Sequence, residues 1–136
     1  MILFPCCKIN LGLNVVGKRP DGYHDIETVF YPVPLCDALE VTEMDAQFPS
    51  PYDCDLKVTG NAVDCDEQKN LVVKAYHLLR QHAPIPRAHI HLHKRIPSQA
   101  GLGGGSADAA YTLRLLNQQF GANLSDADLR LLATRL

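Results

Sequence analysis

Between Cys7 and Val16, apolar Ile9, Leu11, Leu13 and Val15 alternate with Lys8, Asn10, Gly12 and Asn14. A period of two predicts a strand with one buried face, and it puts Lys8 and Asn10 together on the polar face. Turn formers then gather in GKRPDG, Gly17 to Gly22, and a second strand is predicted around Ile26 to Tyr31. Shorter strands are expected at Ala38–Glu43 and Asp55–Thr59, with the Pro- and Ser-bearing stretch AQFPSPYD between them as a loop. The period changes at Asn70. Leu71, Ala75, Leu78 and Leu79 recur at helical spacing as far as His82, and Asn70 is placed to cap that helix. Ala83 to Pro86 stops it, and Ala88–Lys94 reads as a strand again. A further helix is predicted from about Ser106 to Phe120, ended by Gly121. The last opens on a capping box at Ser125–Asp128, with Leu129, Leu132, Ala133 and Leu136 as its apolar stripe.

The stretch IPSQAGLGGGSADAA, Ile96 to Ala110, lies between the last strand and the helix that follows it, with glycines at Gly101, Gly103, Gly104 and Gly105. Glycine permits positive φ and close backbone approach, and a helix N-terminus adds free N–H groups and a positive dipole end. Together they make a seat for an anion, and the neighbouring Lys94–Arg95 suits a nucleoside triphosphate. A Walker A loop needs Lys-Ser or Lys-Thr after the glycines, whereas Ser106-Ala107 stands here. The dinucleotide fingerprint fits Gly101 and Gly103 but meets Ser106 at its third glycine. A phosphate loop of another kinase class fits better. A ligand-free turn would need only one or two glycines, and four cost ~2–4 kcal/mol in backbone entropy relative to alanines.

At 136 residues and 46% hydrophobic content the chain has the size of one globular domain. A net charge near −2 provides no broad basic field, so nucleic acid is not an expected partner. The five cysteines, Cys6, Cys7, Cys36, Cys54 and Cys65, form no recognisable framework and are expected to be free, inert thiols in a reducing cytoplasm. MILFPCC lacks a basic leader region, and no apolar run approaches the ~20 residues of a membrane span, so no membrane partner is expected. His89, His91 and His93 share one strand face and could in principle bind zinc. Bare alternation gives no closed ligand set and no supporting carboxylate is evident, so a wet sheet face is expected instead, and no metal site. The final helix runs to Leu136 without a stop signal, which leads to the expectation that the chain is cut there.

Two segments together carry a family resemblance: PCCKINLGLNVVGKRPDGYHDIETVF and IPSQAGLGGGSADAA. The chain resembles the galactokinase, homoserine kinase, mevalonate kinase and phosphomevalonate kinase (GHMP) superfamily. More narrowly it is similar to the 4-diphosphocytidyl-2-C-methyl-D-erythritol kinases of non-mevalonate isoprenoid biosynthesis. The resemblance implies an α+β fold of the ribosomal protein S5 domain 2 type, a mixed sheet with helices on one face. It implies that residues 1–136 are the N-terminal ATP-binding domain, with a C-terminal domain absent.

By the same resemblance Lys8 is the active-site lysine and Asn10 a substrate-contacting asparagine, while Tyr23 and His24 hold the cytidine end. Asn70 and Lys94 line the nucleotide pocket. The run Pro97, Ser98, Gln99, Ala100, Gly101, Leu102, Gly103, Gly104, Gly105, Ser106 and Ala107 is the ATP-phosphate loop. ATP and Mg2+ are the implied cofactors, with no magnesium ligand assigned beyond a loose candidacy of Asp108. The implied reaction phosphorylates the 2-hydroxyl of the small-molecule substrate, cytidine diphosphate methylerythritol. The family's catalytic aspartate stands in a Gly-(Ala or Ser)-Asp-(Val or Cys)-Pro-(Val or Phe)-Phe segment past Leu136. Residues 1–136 alone are therefore expected to be inactive. Another GHMP small-molecule kinase and a non-catalytic nucleotide-binding module remain the alternatives, and the oligomeric state is left open.

Overall fold

The computed structural model describes residues 1–47 and 50–136. In chain order the strands are β1 (Ile2–Leu3), β2 (Cys6–Lys18), β3 (His24–Cys36), β4 (Ala38–Glu43), β5 (Cys54–Gly60) and β6 (Ala88–Lys94). The helices are α1 (Leu71–Arg80), preceded by a 3₁₀ turn at Glu67–Lys69, then α2 (Gly104–Phe120) and α3 (Asp126–Ala133). Four strands make one sheet in the order β1-β4-β6-β5, with β5 parallel to β6 and the other pairs antiparallel. A parallel step needs a crossover, and α1 supplies it between β5 and β6. The sheet is thus mixed, in the α+β class the sequence led us to expect.

One face of this sheet carries Leu39, Val41, Leu56, Ile90 and Leu92, buried against Val72, Tyr76 and Leu79 of α1 and Leu113 and Leu116 of α2. Leu129 and Leu132 bring α3 onto the same core. The helix ends follow their local chemistry. Asn70 Oδ1 accepts from the Val72 N–H at 3.0 Å, Gly121 ends α2 at φ 62°, and Ser125 and Asp128 form the expected capping box. On β6 the alternate residues His91 and His93 are exposed and His89 is half-buried, which makes the sheet's other face polar. The loop expected at AQFPSPYD includes Phe48 and Pro49, which lie outside the described residues. β1, too short for any periodicity to mark, pairs with β4.

Strands β2 and β3 form a separate two-stranded ribbon. Both run longer than their alternation predicted, and the expected buried face is not buried. Leu11 and Leu13 are each 52% exposed and Val15 is 60% exposed. Alternation fixes which side chains share a face but not what covers it. Outside its own pair, β2 packs only against α2 among the described elements.

The cysteine expectation also needs correction. Cys6 lies opposite Cys36 in the ribbon and the two are joined as a disulfide, which local sequence could not reveal across a separation of 30 residues. Cys7 and Cys54 are buried free thiols and Cys65 is an exposed one. Burial, with Asp55 adding to it, pushes the Cys54 thiol up to about 12, so this one is inert as expected.

Candidate active site

The glycine segment leaves the end of β6 and enters α2, and its first residues are tied down by a buried carboxylate. Asp37, between β3 and β4, accepts through Oδ1 from the backbone N–H of Arg95 at 2.6 Å and of Ile96 at 2.8 Å. Its Oδ2 accepts a short bond from Lys94 Nζ, and Lys94 also donates to Asp108 Oδ2 in α2 at 2.7 Å. All three side chains are buried. Burial opposes the charge on Lys94, but its bonds to Asp108 and Asp37 outweigh that and hold the ammonium above its ordinary value. Asp108 responds the other way. Burial dominates over the pull of Lys94 and raises its carboxyl from 3.8 to about 6, while its Oδ1 has no hydrogen-bond partner. The triad thus locks the sheet, the loop entrance and the first turns of α2 together.

The glycines divide by role. A Cβ at Gly104 would come within 2.8 Å of Ile96 Cγ2, so this residue is glycine for packing. A Cβ at Gly103 would lie 3.2 Å from Lys8 Cε, and Gly103 is also the left-handed N-cap of α2 at φ 71°. Gly101, at φ 72°, faces open space, and a Cβ at Gly105 would make only ordinary contact at 3.8 Å. The exposed, open part of the seat therefore lies at Gly101 and from Gly105 to Ser106, at the start of a helix whose free N–H groups favour an anion.

Lys8 crosses this loop. Its backbone N–H donates to Leu102 O at 3.0 Å and its Nζ to Gly101 O at 2.8 Å. Nζ also donates to Asn10 Oδ1 at 2.6 Å and stands 5.4 Å from the centre of the Phe30 ring. Beside the loop, Lys69, Asn70, Lys74, Lys94, Ser98 and Gln99 line a recess of about 310 Å³. Exposed Lys69 and Lys74, on either side of the α1 N-terminus, line that recess together with exposed Asp64.

The residues singled out from sequence are thus brought together in part. Lys8 links Asn10 to the loop from Pro97 to Ala107, so these residues lie together. Asn70 lines the recess while capping α1, and Lys94 lines it with an ammonium already held by two carboxylates. Tyr23 and His24 sit at the other end of the ribbon, where Tyr23 is exposed and stands 5.8 Å from the Arg19 guanidinium. Ten residues of strand, roughly 33 Å of contour at ~3.3 Å each, separate that tip from Lys8. Lys8 and Asn10 therefore do not form one cluster with Tyr23 and His24 in the described structure.

Sequence reasoning missed Asp37, Lys69 and Lys74. The lysines could have been found as basic residues flanking a capped helix start. Asp37 could not, since its partners lie 57 to 59 positions away. It also missed the carboxylate beside the histidine row, for Asp55 Oδ2 lies 3.2 Å from His89 Nδ1. His91 and His93 both meet the Thr59 hydroxyl, at 2.8 and 3.0 Å. Among the described residues no three His, Cys, Asp or Glu side chains are grouped to hold a metal ion.

Residues 70–136 match the family described as GHMP kinases N terminal domain. The whole chain is similar to proteins named 4-diphosphocytidyl-2-C-methyl-D-erythritol kinase. The Bacteroides fragilis protein is 54% identical over 129 residues, 95% of this chain and 46% of that relative. The Parabacteroides distasonis protein is 51% identical over 136 residues, all of this chain and 48% of that relative. A crystal structure of 4-(cytidine 5'-diphospho)-2C-methyl-D-erythritol kinase superposes with a TM-score of 0.71 at 35% identity. It covers 97% of this chain and 46% of that one. A mevalonate kinase structure superposes at a TM-score of 0.72 with 14% identity over 99% of this chain and 45% of its own, a likeness of fold alone. The chain spans about half the length of the curated relatives it matches.

Proposed function

We propose, starting from the membership of residues 70–136 in the GHMP kinase N-terminal domain family, that these 136 residues are the ATP-binding part of a small-molecule kinase. Its acceptor is the 2-hydroxyl of 4-diphosphocytidyl-2-C-methyl-D-erythritol, and its place is the cytoplasm, even though a reducing compartment disfavours the Cys6–Cys36 bond. No helix among the described residues is long and apolar enough to cross a membrane. The observation that carries the reading is Lys8, held by its own Nζ on the backbone carbonyl of the glycine loop.

In phosphoryl transfer a protein mainly positions the reactants and neutralises charge. The loop amides at the mouth of α2 seat the phosphates of ATP, and the recess beside Asn70 takes the rest of the nucleotide. An ammonium has three donors, and Lys8 uses two here, on Gly101 O and Asn10 Oδ1. The third is left for an oxygen of the transferring phosphoryl group, where it stabilises the charge that develops. Tyr23 and His24, at the ribbon's far end, take the cytidine of an elongated acceptor. The general base belongs to the half of the relatives' length that these residues do not span.

Fit to the nucleotide is supported by the open glycine positions. Fit to Mg2+ as a protein-caged ion is not, because Asp37 and Asp108 already hold Lys94. Mg2+ would arrive on the phosphate oxygens of ATP and offset their charge, as it does where a site supplies few carboxylates. The test is phosphorus NMR of the full-length protein with ATP and the cytidyl alcohol. A new phosphomonoester is expected, and Lys8→Ala lowers turnover about 10²–10³-fold, as loss of one preorganised donor does. Turnover only with a different alcohol would make it another kinase of the superfamily. Nucleotide binding without transfer to any alcohol would make it a binding module.

A further inference from the structure

We propose that Thr28 is a positioning residue for Lys8, acting through the side chain of Asn10. The inference rests on the kinase reading of Lys8 given above. An asparagine amide has an accepting end and a donating end, and only the first attracts an ammonium. The Asn10 amide is half-buried between two partners: its Oδ1 accepts from Lys8 Nζ at 2.6 Å and its Nδ2 donates to Thr28 Oγ1 at 3.0 Å. Thr28 faces Asn10 with a lone pair because its own proton is engaged elsewhere. Its hydroxyl donates to the carbonyl of Gly12.

That carbonyl is free because the ladder shifts register between Leu11 and Leu13, and Gly12, at φ 70°, is the residue left over. Bulges of this kind turn a backbone group out of the ladder and re-aim what contacts it. The direction of every bond in the series is therefore set: Thr28 to Gly12, Asn10 to Thr28, Lys8 to Asn10 and to Gly101. Without the hydroxyl the amide loses the partner that decides its orientation. Turned by half a rotation, it would present its NH2 to the ammonium. Lys8 would then no longer leave its third donor aimed in one direction over the loop.

The consequence falls on the chemical step rather than on nucleotide capture, since the loop amides and the recess do not involve Thr28. In the full-length protein, Thr28→Val lowers kcat about 10-fold, the loss set by one oriented hydrogen bond to a charge network, while KM for ATP moves less than about 2-fold. Thr28→Ser, which keeps the hydroxyl, stays within about 2-fold of the parent. Thr28→Ala, which removes the hydroxyl without adding a methyl, behaves as Thr28→Val does. In an Asn10→Ala background Thr28→Val costs nothing further, because the interaction it removes is already gone.

Three results would overturn the proposal: unchanged kcat in both hydroxyl-free variants, a loss in Thr28→Ser equal to that in Thr28→Val, or losses at Asn10 and Thr28 that multiply. Lys8→Ala separates these from failure of the kinase reading. If Lys8→Ala retains full turnover, the role given to Lys8 falls and the inference with it. If Lys8→Ala is crippled while the hydroxyl-free Thr28 variants are not, only the inference falls.

Discussion

The sheet of β4, β6 and β5 and the ribbon of β2 and β3 carry equally apolar side chains with opposite fates. Leu92 in β6 is fully buried, whereas Leu13 in β2 is 52% exposed. Both come from strands with the same two-residue alternation. What differs is the cover: α1, α2 and α3 close over the sheet, and among the described elements β2 meets α2 alone besides its partner β3. The core thus stabilises the fold while the ribbon presents Lys8 at its base and Tyr23 at its tip. The candidate site lies where the two regions touch, at Lys8 and the glycine loop.

Variants can break that division. The largest effect is expected at Lys94→Met, which leaves Asp37 and Asp108 buried without their cation and costs about 3–5 kcal/mol in urea unfolding. Leu92→Ala follows at ~2–5 kcal/mol, the range for emptying a packed core position. Gly103→Ala, with a side chain forced into left-handed backbone against Lys8, costs ~1–2 kcal/mol. Leu13→Ala in the 136-residue chain changes stability by no more than ~0.5 kcal/mol. Equal midpoint shifts for Leu13→Ala and Leu92→Ala would erase the contrast between ribbon and core.

A smaller, pH-dependent effect sharpens it. The Asp108 carboxyl is raised in the folded protein from 3.8 to about 6, so the folded state holds a proton there that the unfolded chain gives up. Its contribution is full below 3.8 and is lost as pH rises through about 6. Asp108→Asn removes that slope, and urea midpoints of parent and variant compared across this window are expected to diverge as pH rises, with the parent losing ground. Parallel curves would show that the carboxyl does not titrate there.

Much of this was legible in the sequence. α1, α2 and α3 and the strand Ala88–Lys94 announce themselves through nearest-neighbour chemistry: Asn70 as a cap, Gly121 as a stop, Ser125 with Asp128 as a box. The rest lies in long-range pairing. Nothing near Asp37 marks it as the partner of Lys94, and nothing near Cys6 marks Cys36. The glycines were expected to admit a ligand, yet at Gly103 the group that comes close is the Lys8 side chain and at Gly104 it is Ile96, while Gly101 faces open space. Thr28 is an unremarkable strand residue until the register shift beside Gly12 is seen.

The Asp37–Lys94–Asp108 cluster also holds two carboxylates against one ammonium, an excess negative charge beneath the proposed phosphate seat. A polyanion settling nearby makes that charge costlier still, and the cheapest relief is protonation of Asp108. Nucleotide uptake near pH 6 should therefore draw a hydrogen ion from solution. Calorimetric titrations run in cacodylate and in bis-tris, which both buffer in that range but differ in ionisation enthalpy, would then give different heats for the same affinity, and the difference counts the ions absorbed.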